Sequence, residues 1–197
     1  MTSKLWALTA LFMVAAGGSQ MAEAQPVDFR CPKPGTVEIR PSFNIQYLGP
    51  SDADPYMCST IDGWGKKRML IFNIIAVHDA DRQATRDAFI ALLSGREKTV
   101  SYDYISPIGL TSRQTWTRLR RQTLTIDGKP IDTIVFEQQM QRIGPYRGDA
   151  PWAGDYLHWL DPKTSLWVKG EFHLISGAFN GGATYATYQD VSVTLPP

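Results

Sequence analysis

The stretch from residue 155 to residue 172 constrains the fold more than any other part of the chain. Its centre, Asp161-Pro162-Lys163-Thr164, has the composition of a tight turn, because proline fixes φ at the second position and the aspartate side chain can accept hydrogen bonds from the following backbone. Aromatic and β-branched residues lie on both sides, as is typical of strands in a half-buried sheet. The stretch therefore predicts an antiparallel hairpin.

Patterns elsewhere predict about seven antiparallel strands in total. The other strand-like segments are 68–77, 97–105, 112–126, 131–140 and 184–195, and Asp127-Gly128 is a hairpin signal between two of them. Apolar residues recur at helical spacing from about Asp81 to Leu93, and Gly95 follows as a stop. We expect a mainly β fold, in which a strongly curved antiparallel sheet forms a half-barrel or open barrel and one helix covers it.

The N-terminus, residues 1–24, has the three parts of a secretory signal peptide. Lys4 is followed by an apolar run over 5–16 and by the cleavage pattern Ala22-Glu23-Ala24, so the mature chain is expected to start at Gln25. An uncleaved membrane anchor is the alternative, although the run is short for a membrane span. There is no cysteine at the cut, which argues against a lipid anchor. We expect an exported protein without a transmembrane span after cleavage, periplasmic or alternatively extracellular.

Residues 25–62 read as an extended leader to a β domain over 63–197, the two forming a single domain. Six prolines in the leader oppose a helix, and short edge strands are expected at 37–39 and 43–47. Cys31 and Cys58 are the two cysteines of the chain. In an exported protein they predict a disulfide that holds the leader, while a two-cysteine metal or redox site is the alternative.

The net charge of +1 argues against nucleic acid as a partner, since nucleic-acid-binding domains carry a strong excess of cations. Arginines 113, 118, 120 and 121 could meet phosphate or anionic lipid, or could form a solvated strand face. On that strand, alternate residues from Trp116 to Ile126 are expected to share one face.

Several pieces of the chain resemble a family of uncharacterised exported bacterial β domains. The matching pieces, within about 88–172, are Leu92-Leu93-Ser94-Gly95-Arg96, Trp116, Thr125-Ile126-Asp127-Gly128 with Asp132-Thr133, His158-Trp159-Leu160-Asp161-Pro162 and Trp167-Val168-Lys169. The last two resemble the family's Tyr-Trp-x-x-Pro-x-x-Gly-x-x-Val-Lys hairpin, with His158 in place of tyrosine and Ser165 in place of glycine. The resemblance implies a curved sheet like that of lipoprotein carriers, and it carries over no catalytic residue.

Aromatic side chains crowd the C-terminal half and are the candidate ligand-binding residues. They are Trp116, Trp152, Tyr156, Trp159, Trp167 and Phe172. Such faces line apolar pockets and stack on sugars, but they equally fill sheet cores. The preferred hypothesis is a non-catalytic module that binds an apolar or amphipathic envelope ligand, with lipid, glycan and an envelope protein as candidate partners. It predicts a large apolar pocket near Trp116, Tyr156, Trp159 and Phe172.

Two other functions stay open. An envelope glycan hydrolase would need a carboxylate pair, for which Glu137, Asp155 and Asp161 are candidates, although Glu137 could simply pair with Arg118, Arg120 or Arg121 across strands. A purely structural or docking domain is the third possibility.

The three histidines, His78, His158 and His173, could supply metal ligands if the last two faced each other, but half-exposed sheet histidines are the simpler interpretation. We therefore predict no metal, no cofactor and no catalytic residue.

Overall fold

The computed structural model describes residues 25–76, 82–106, 109, 111–143, 152–177 and 185–197. Within these ranges the chain forms one helix and eleven strands. The strands are β1 (Val37–Ile39), β2 (Asn44–Ser51), β3 (Asp54–Asp62), β4 (Lys67–Ile71), β5 (Thr99–Ile105), β6 (Thr111–Ile126), β7 (Lys129–Arg142), β8 (Ala153–Asp161), β9 (Leu166–Ser176), β10 (Tyr185–Gln189) and β11 (Ser192–Thr194), and the helix is α1 (Arg82–Leu93).

The strands form two antiparallel sheets, which we name sheet A and sheet B. Sheet A has the order β11-β1-β2-β3-β4, and sheet B has the order β10-β9-β8-β7-β6-β5. Sheet B is the predicted meander, since each strand pairs with its neighbour in sequence. The mainly β class, the antiparallel pairing and the single helix are confirmed for the described residues, with the strands divided between two sheets.

The leader supplies three strands of sheet A. The strands expected at 37–39 and 43–47 correspond to β1 and β2, but both lie inside sheet A and not at its edge, and β3 was not predicted. Its partner β2 shifts register on either side of Gly49-Pro50, which places proline where the ladder is already irregular. The predicted disulfide between Cys31 and Cys58 is present and ties the start of the leader to β3.

Local turn chemistry determines both hairpins of sheet B that the sequence singled out. Asp127 and Gly128 have φ values of 52° and 68°, as a two-residue type I′ turn requires. In the β8–β9 turn the Asp161 carboxylate accepts hydrogen bonds from the Lys163 N–H at 2.9 Å and the Thr164 hydroxyl at 2.6 Å. Ser165, which follows this turn, has a φ of 59°, a left-handed backbone conformation that glycine adopts with less strain.

A β-bulge in β6 changes which residues share a face. Arg118 pairs with Phe136, whereas Arg120 pairs with Val135, so one additional residue is inserted between them. Because Phe136 and Val135 are adjacent and point to opposite faces, Arg118 and Arg120 do so too. The prediction that alternate residues from Trp116 to Ile126 lie on one face is therefore wrong beyond Arg118.

The predicted last strand, 184–195, is two strands in different sheets. β10 pairs with β9 in sheet B and β11 pairs with β1 in sheet A, with Asp190 and Val191 between them. The two sheets enclose one core cluster under α1, around Phe72, Phe89 and Trp116, and a second on the other face of sheet B. Across the described residues, no helix has the length and apolar character to cross a membrane.

Candidate functional site

Four aromatic rings form a continuous row across sheet B, which we call the aromatic row. It consists of Trp116 on β6, His158 and Tyr156 on β8, and Phe172 on β9. Ring centroids are 4.9 Å apart between Trp116 and His158, 5.5 Å between His158 and Tyr156, and 4.5 Å between Tyr156 and Phe172. Gly154 leaves room for Phe172, because a Cβ there would lie 2.5 Å from its ring.

The candidate aromatic residues divide between the two faces of the sheet. Trp167 joins the row, with its ring 6.0 Å from that of Trp116, and its Nε1 donates to the Phe72 carbonyl at 2.9 Å. Trp159 lies on the other face, where its Nε1 donates to Gln122 and Lys169 lies over its ring. Trp152, just before β8, is half-buried.

Most of these side chains are buried in protein. Trp116, Trp159 and Trp167 are at most 2% exposed and Phe172 is 4% exposed, while Tyr156 is half-buried. The three tryptophans thus fill the core in this conformation. Tyr156 is the member of the row through which a ligand could make contact without a rearrangement.

His158 also ends a chain of buried hydrogen bonds. Gln138 donates to Gln114 at 2.7 Å, which leaves the Gln138 Oε1 to accept from His158 Nε2 at 2.8 Å. His158 Nδ1 is therefore unprotonated, and it is buried without a hydrogen bond within the described part of the chain. Burial, together with the positive charge of Arg40, lowers the pKa of His158 to about 3, so the ring is neutral at physiological pH.

The candidate histidines do not converge on one site. His158 pairs with Gly170, and His173 pairs with Asp155, an odd number of positions away along β8. The two rings therefore point to opposite faces, and the expectation that they could face each other is wrong. His158 is buried, not half-exposed, while His173 is exposed and His78 lies outside the described residues. No cluster of metal-ligating side chains occurs among the residues the structure describes.

The candidate carboxylates have separate surroundings. Asp161 is buried and holds the β8–β9 turn. Glu137 and Asp155 are half-buried, on the face of sheet B opposite the aromatic row. Glu137 lies across from Thr117, so the predicted pairing with an arginine of β6 is wrong in register. If Asp161 served in a catalytic pair, its carboxylate would have to give up the hydrogen bonds from Lys163 and Thr164 that hold the β8–β9 turn.

A cavity of about 510 Å³, which we call the N-terminal cavity, lies where three separate parts of the chain meet. The start of the leader, the β8–β9 turn and the C-terminal residues form its walls. The lining residues are Asp28, Arg30, Cys31, Pro32, Lys33, Thr36, Pro162, Lys163, Thr164, Ser165, Leu195 and Pro196.

The charge around the N-terminal cavity is positive. Arg30 forms an ion pair with Asp28 at 2.8 Å, while Lys33 and Lys163 are exposed. The wall is held in place by the Cys31–Cys58 disulfide and by a hydrogen bond of 3.2 Å from the Arg30 N–H to Ser165 Oγ. Sequence reasoning missed this cavity because its residues are up to 168 positions apart, and the disulfide was the one signal that the leader is fixed there.

A buried group of charged and phenolic side chains, the interior ionic cluster, joins the two sheets. Glu38 on β1 accepts hydrogen bonds from Arg40 and, at 2.5 Å, from Tyr47. Arg40 lies 3.5 Å from the Asp190 carboxylate and 4.0 Å from the centre of the Tyr188 ring. Burial and the nearby Glu38 together raise the pKa of Asp190 to about 9, against the opposing effect of the Arg40 charge. Because the Glu38 and Asp190 side chains are fully buried, the cluster is structural.

Comparison with known proteins gives only distant likenesses. No protein family matches the chain, and no curated protein matches it. The hypothetical lipoprotein YmcC of Escherichia coli K12 aligns over 82% of this chain and 84% of its own, with 11% identity and a TM-score of 0.46. A candidate lipoprotein of Parabacteroides distasonis aligns over 86% of this chain and 100% of its own, with 9% identity and a TM-score of 0.46. Neither likeness is close enough to assign a family.

Proposed function

We propose that the chain is an exported, non-catalytic binding module, and that its N-terminal cavity holds an amphipathic envelope ligand with an anionic head group. The observation that carries this proposal is a cavity that combines an excess of cations with apolar walls. Asp28 is paired with Arg30, so the charges of Lys33 and Lys163 are in excess at the cavity. Apolar surface comes from Pro32, Leu195 and Pro196. The volume of about 510 Å³ is within the usual range for small-molecule sites.

Two features support export. The first is the signal-peptide pattern of residues 1–24. The second is the disulfide, since disulfides persist in oxidising compartments such as the periplasm or the extracellular space. The same disulfide shapes the cavity, because Cys31 lines its wall.

The aromatic row is the second candidate position for the same ligand. Tyr156 is half-buried and lies beside the buried rings of His158 and Phe172, so an apolar ligand could contact the row through Tyr156. An envelope protein or a glycan at either position is the remaining possibility for the partner.

Native mass spectrometry of the mature chain, exported and purified without detergent, tests the proposal. We expect an adduct, and a soluble short-chain phosphatidylglycerol should displace it. The double variant Lys33→Glu and Lys163→Glu should lose the adduct, whereas the matched variant Lys98→Glu and Lys129→Glu, exposed positions outside the cavity, should keep it.

Loss of the adduct in Tyr156→Ala, with retention in the Lys33 and Lys163 variant, would move the ligand to the aromatic row. If no preparation carries an adduct and the phosphatidylglycerol probe does not bind, the cavity proposal is wrong, and a structural or docking role becomes the better hypothesis.

A further inference from the structure

Two turns of sheet A bring an aromatic pair together, in which Trp64 is exposed and Phe43 is half-buried. Phe43 lies at the end of the β1–β2 turn and Trp64 lies in the β3–β4 turn, with ring centroids 5.4 Å apart. Gly63 permits this approach, since a Cβ there would lie 3.2 Å from the Asn44 nitrogen. Trp64 is 73% exposed, the highest value for a large apolar side chain in the described part of the chain.

Exposed cations follow Trp64 directly. Lys66 and Lys67 are both exposed and, within the described residues, neither forms an ion pair. The nearby acidic group, Asp62, is buried and forms a salt bridge of 3.0 Å with Arg68. The surface formed by Phe43, Trp64, Lys66 and Lys67, which we call the aromatic-basic tip, therefore presents positive charge beside an aromatic pair.

Three successive backbone N–H groups of the β3–β4 turn are bonded within the protein. Asp62 Oδ1 accepts from the N–H groups of Trp64 and Lys66, and the Asp62 carbonyl accepts from the Gly65 N–H. Moving a backbone towards the apolar layer beneath the lipid headgroups is costly when its N–H groups are unpaired. In this turn the cost is low, because the N–H groups around Trp64 are already bonded within the protein.

We infer that the aromatic-basic tip docks the domain onto an anionic lipid surface. Tryptophan partitions to the boundary between headgroups and acyl chains, and lysines next to it are attracted by anionic headgroups. The tip carries both kinds of side chain within four residues of one turn, all of them exposed, so they can reach a flat surface together. It shares no residue with the N-terminal cavity, so the inference stands or falls separately from the proposed ligand.

Vesicle flotation with the mature chain tests the inference. We expect binding to phosphatidylcholine vesicles that contain about 30% phosphatidylglycerol, little binding to pure phosphatidylcholine, and release in about 0.5 M NaCl. Each neutralised lysine should weaken binding roughly five-fold, so Lys66→Glu with Lys67→Glu should weaken it by at least about 25-fold. Trp64→Ser should weaken it as well, and brominated phosphatidylglycerol should quench tryptophan fluorescence in the wild type but much less in Trp64→Ser.

Controls of the same chemistry lie elsewhere on the surface. Tyr185→Ser removes another exposed aromatic ring, and Lys98→Glu with Lys129→Glu makes the same charge change, so both should bind vesicles like the wild type. Equal binding by Trp64→Ser and the wild type, or equal loss in the controls, would overturn the inference. Salt-insensitive binding to both kinds of vesicle would also overturn it. If a neutral polysaccharide binds the tip while vesicles do not, the partner is a glycan and the lipid inference is wrong.

Discussion

The interior ionic cluster makes a prediction about the substitution Asp190→Asn. Asp190 is 3% exposed and sits beside Glu38, and burial together with that neighbour raises its pKa to about 9. Burial also raises the pKa of Tyr47 and of Tyr188, so both phenols stay protonated below pH 9. In the folded chain Asp190 is therefore a neutral acid near the Arg40–Glu38 pair, and asparagine has nearly the same shape.

The sign and size follow from the two pKa values. The unfolded chain loses the Asp190 proton near pH 3.8 and the folded chain near pH 9. A raised carboxyl pKa contributes stability that is fully present below pH 3.8 and is lost as pH rises towards 9. The loss is about 1.4 kcal/mol per pH unit, or about 4 kcal/mol of unfolding free energy between pH 5 and pH 8. Asparagine has no such proton, so the variant should gain up to about that amount relative to the wild type over this interval.

Urea unfolding of both proteins at pH 5 and pH 8 measures the difference. Asp103→Asn is the control, because a hydrogen bond and the charge of Arg113 lower the pKa of this exposed carboxyl, which therefore titrates below the tested interval. The difference in unfolding free energy between Asp103→Asn and the wild type should be the same at both pH values. The reasoning is refuted if Asp190→Asn is destabilised equally at both pH values, or more at pH 8. Either result would mean that Asp190 is ionised and paired with Arg40, 3.5 Å away.

Three further substitutions test other parts of the structure. His158→Phe should lower the unfolding free energy by roughly 1–3 kcal/mol at pH 7, because the Gln138 side chain loses its hydrogen-bond donor. Since the pKa of His158 is depressed in the folded chain, the wild type itself loses stability below pH 6.5, so the deficit of the variant should shrink by about 1.4 kcal/mol per pH unit, as urea unfolding at pH 7 and pH 4.5 will measure. Replacing Cys31 and Cys58 by serine should lower the unfolding free energy by roughly 3–4 kcal/mol, with the reduced wild type as the reference that should match it. Ser165→Gly should change thermal stability little, because the backbone strain relieved at a φ of 59° offsets the lost hydrogen bond to Ser165 Oγ. Ser165→Val should lower the unfolding free energy by about 1–3 kcal/mol, and a valine variant as stable as the wild type would contradict this.

The sequence was most informative where a few neighbouring residues decide the conformation. The type I′ turn at Asp127-Gly128 needs two positive φ values, which these residues adopt at low cost. The helix was predicted to within a residue, since the spacing of its buried face and the glycine that follows it are both local.

The sequence was least informative where long-range pairing decides. The bulge between Arg118 and Arg120 inserts one residue into a mostly polar part of β6. Nothing in the neighbouring sequence marks the position after which the side chains change faces of the sheet. The alternation of 184–195 continues through Asp190, although the chain leaves sheet B for sheet A there. The first half of this segment pairs with the free edge of β9 and the second half with the free edge of β1. Both edges are formed by distant parts of the chain, so the local sequence does not predict the pairing.

The candidate site shows the same division. Aromatic density in the C-terminal half correctly indicated that Trp116, Tyr156, Trp167 and Phe172 come together, because most aromatic side chains of a strand-rich segment end on its buried face. Alternation along β8 separates Trp159 from Tyr156, because the two lie an odd number of positions apart with no register shift between them. Aromatic density by itself ignores this alternation and therefore grouped Trp159 with the others. It also passed over His158, which only the observed register places between two aromatic rings.

The leader explains why the N-terminal cavity escaped sequence reasoning. The sequence predicted a disulfide-tied extended leader in one domain with the rest, but it did not predict that β1 pairs with β11 near the C-terminus in one sheet. The interior ionic cluster then forms between β1 and the crossing at Asp190, and Cys31 fixes the cavity wall against β3. The N-terminal cavity is thus a consequence of one long-range event, the pairing of the leader with the end of the chain. The aromatic-basic tip has a more local origin, since it is formed by two turns that each join strands adjacent in sequence.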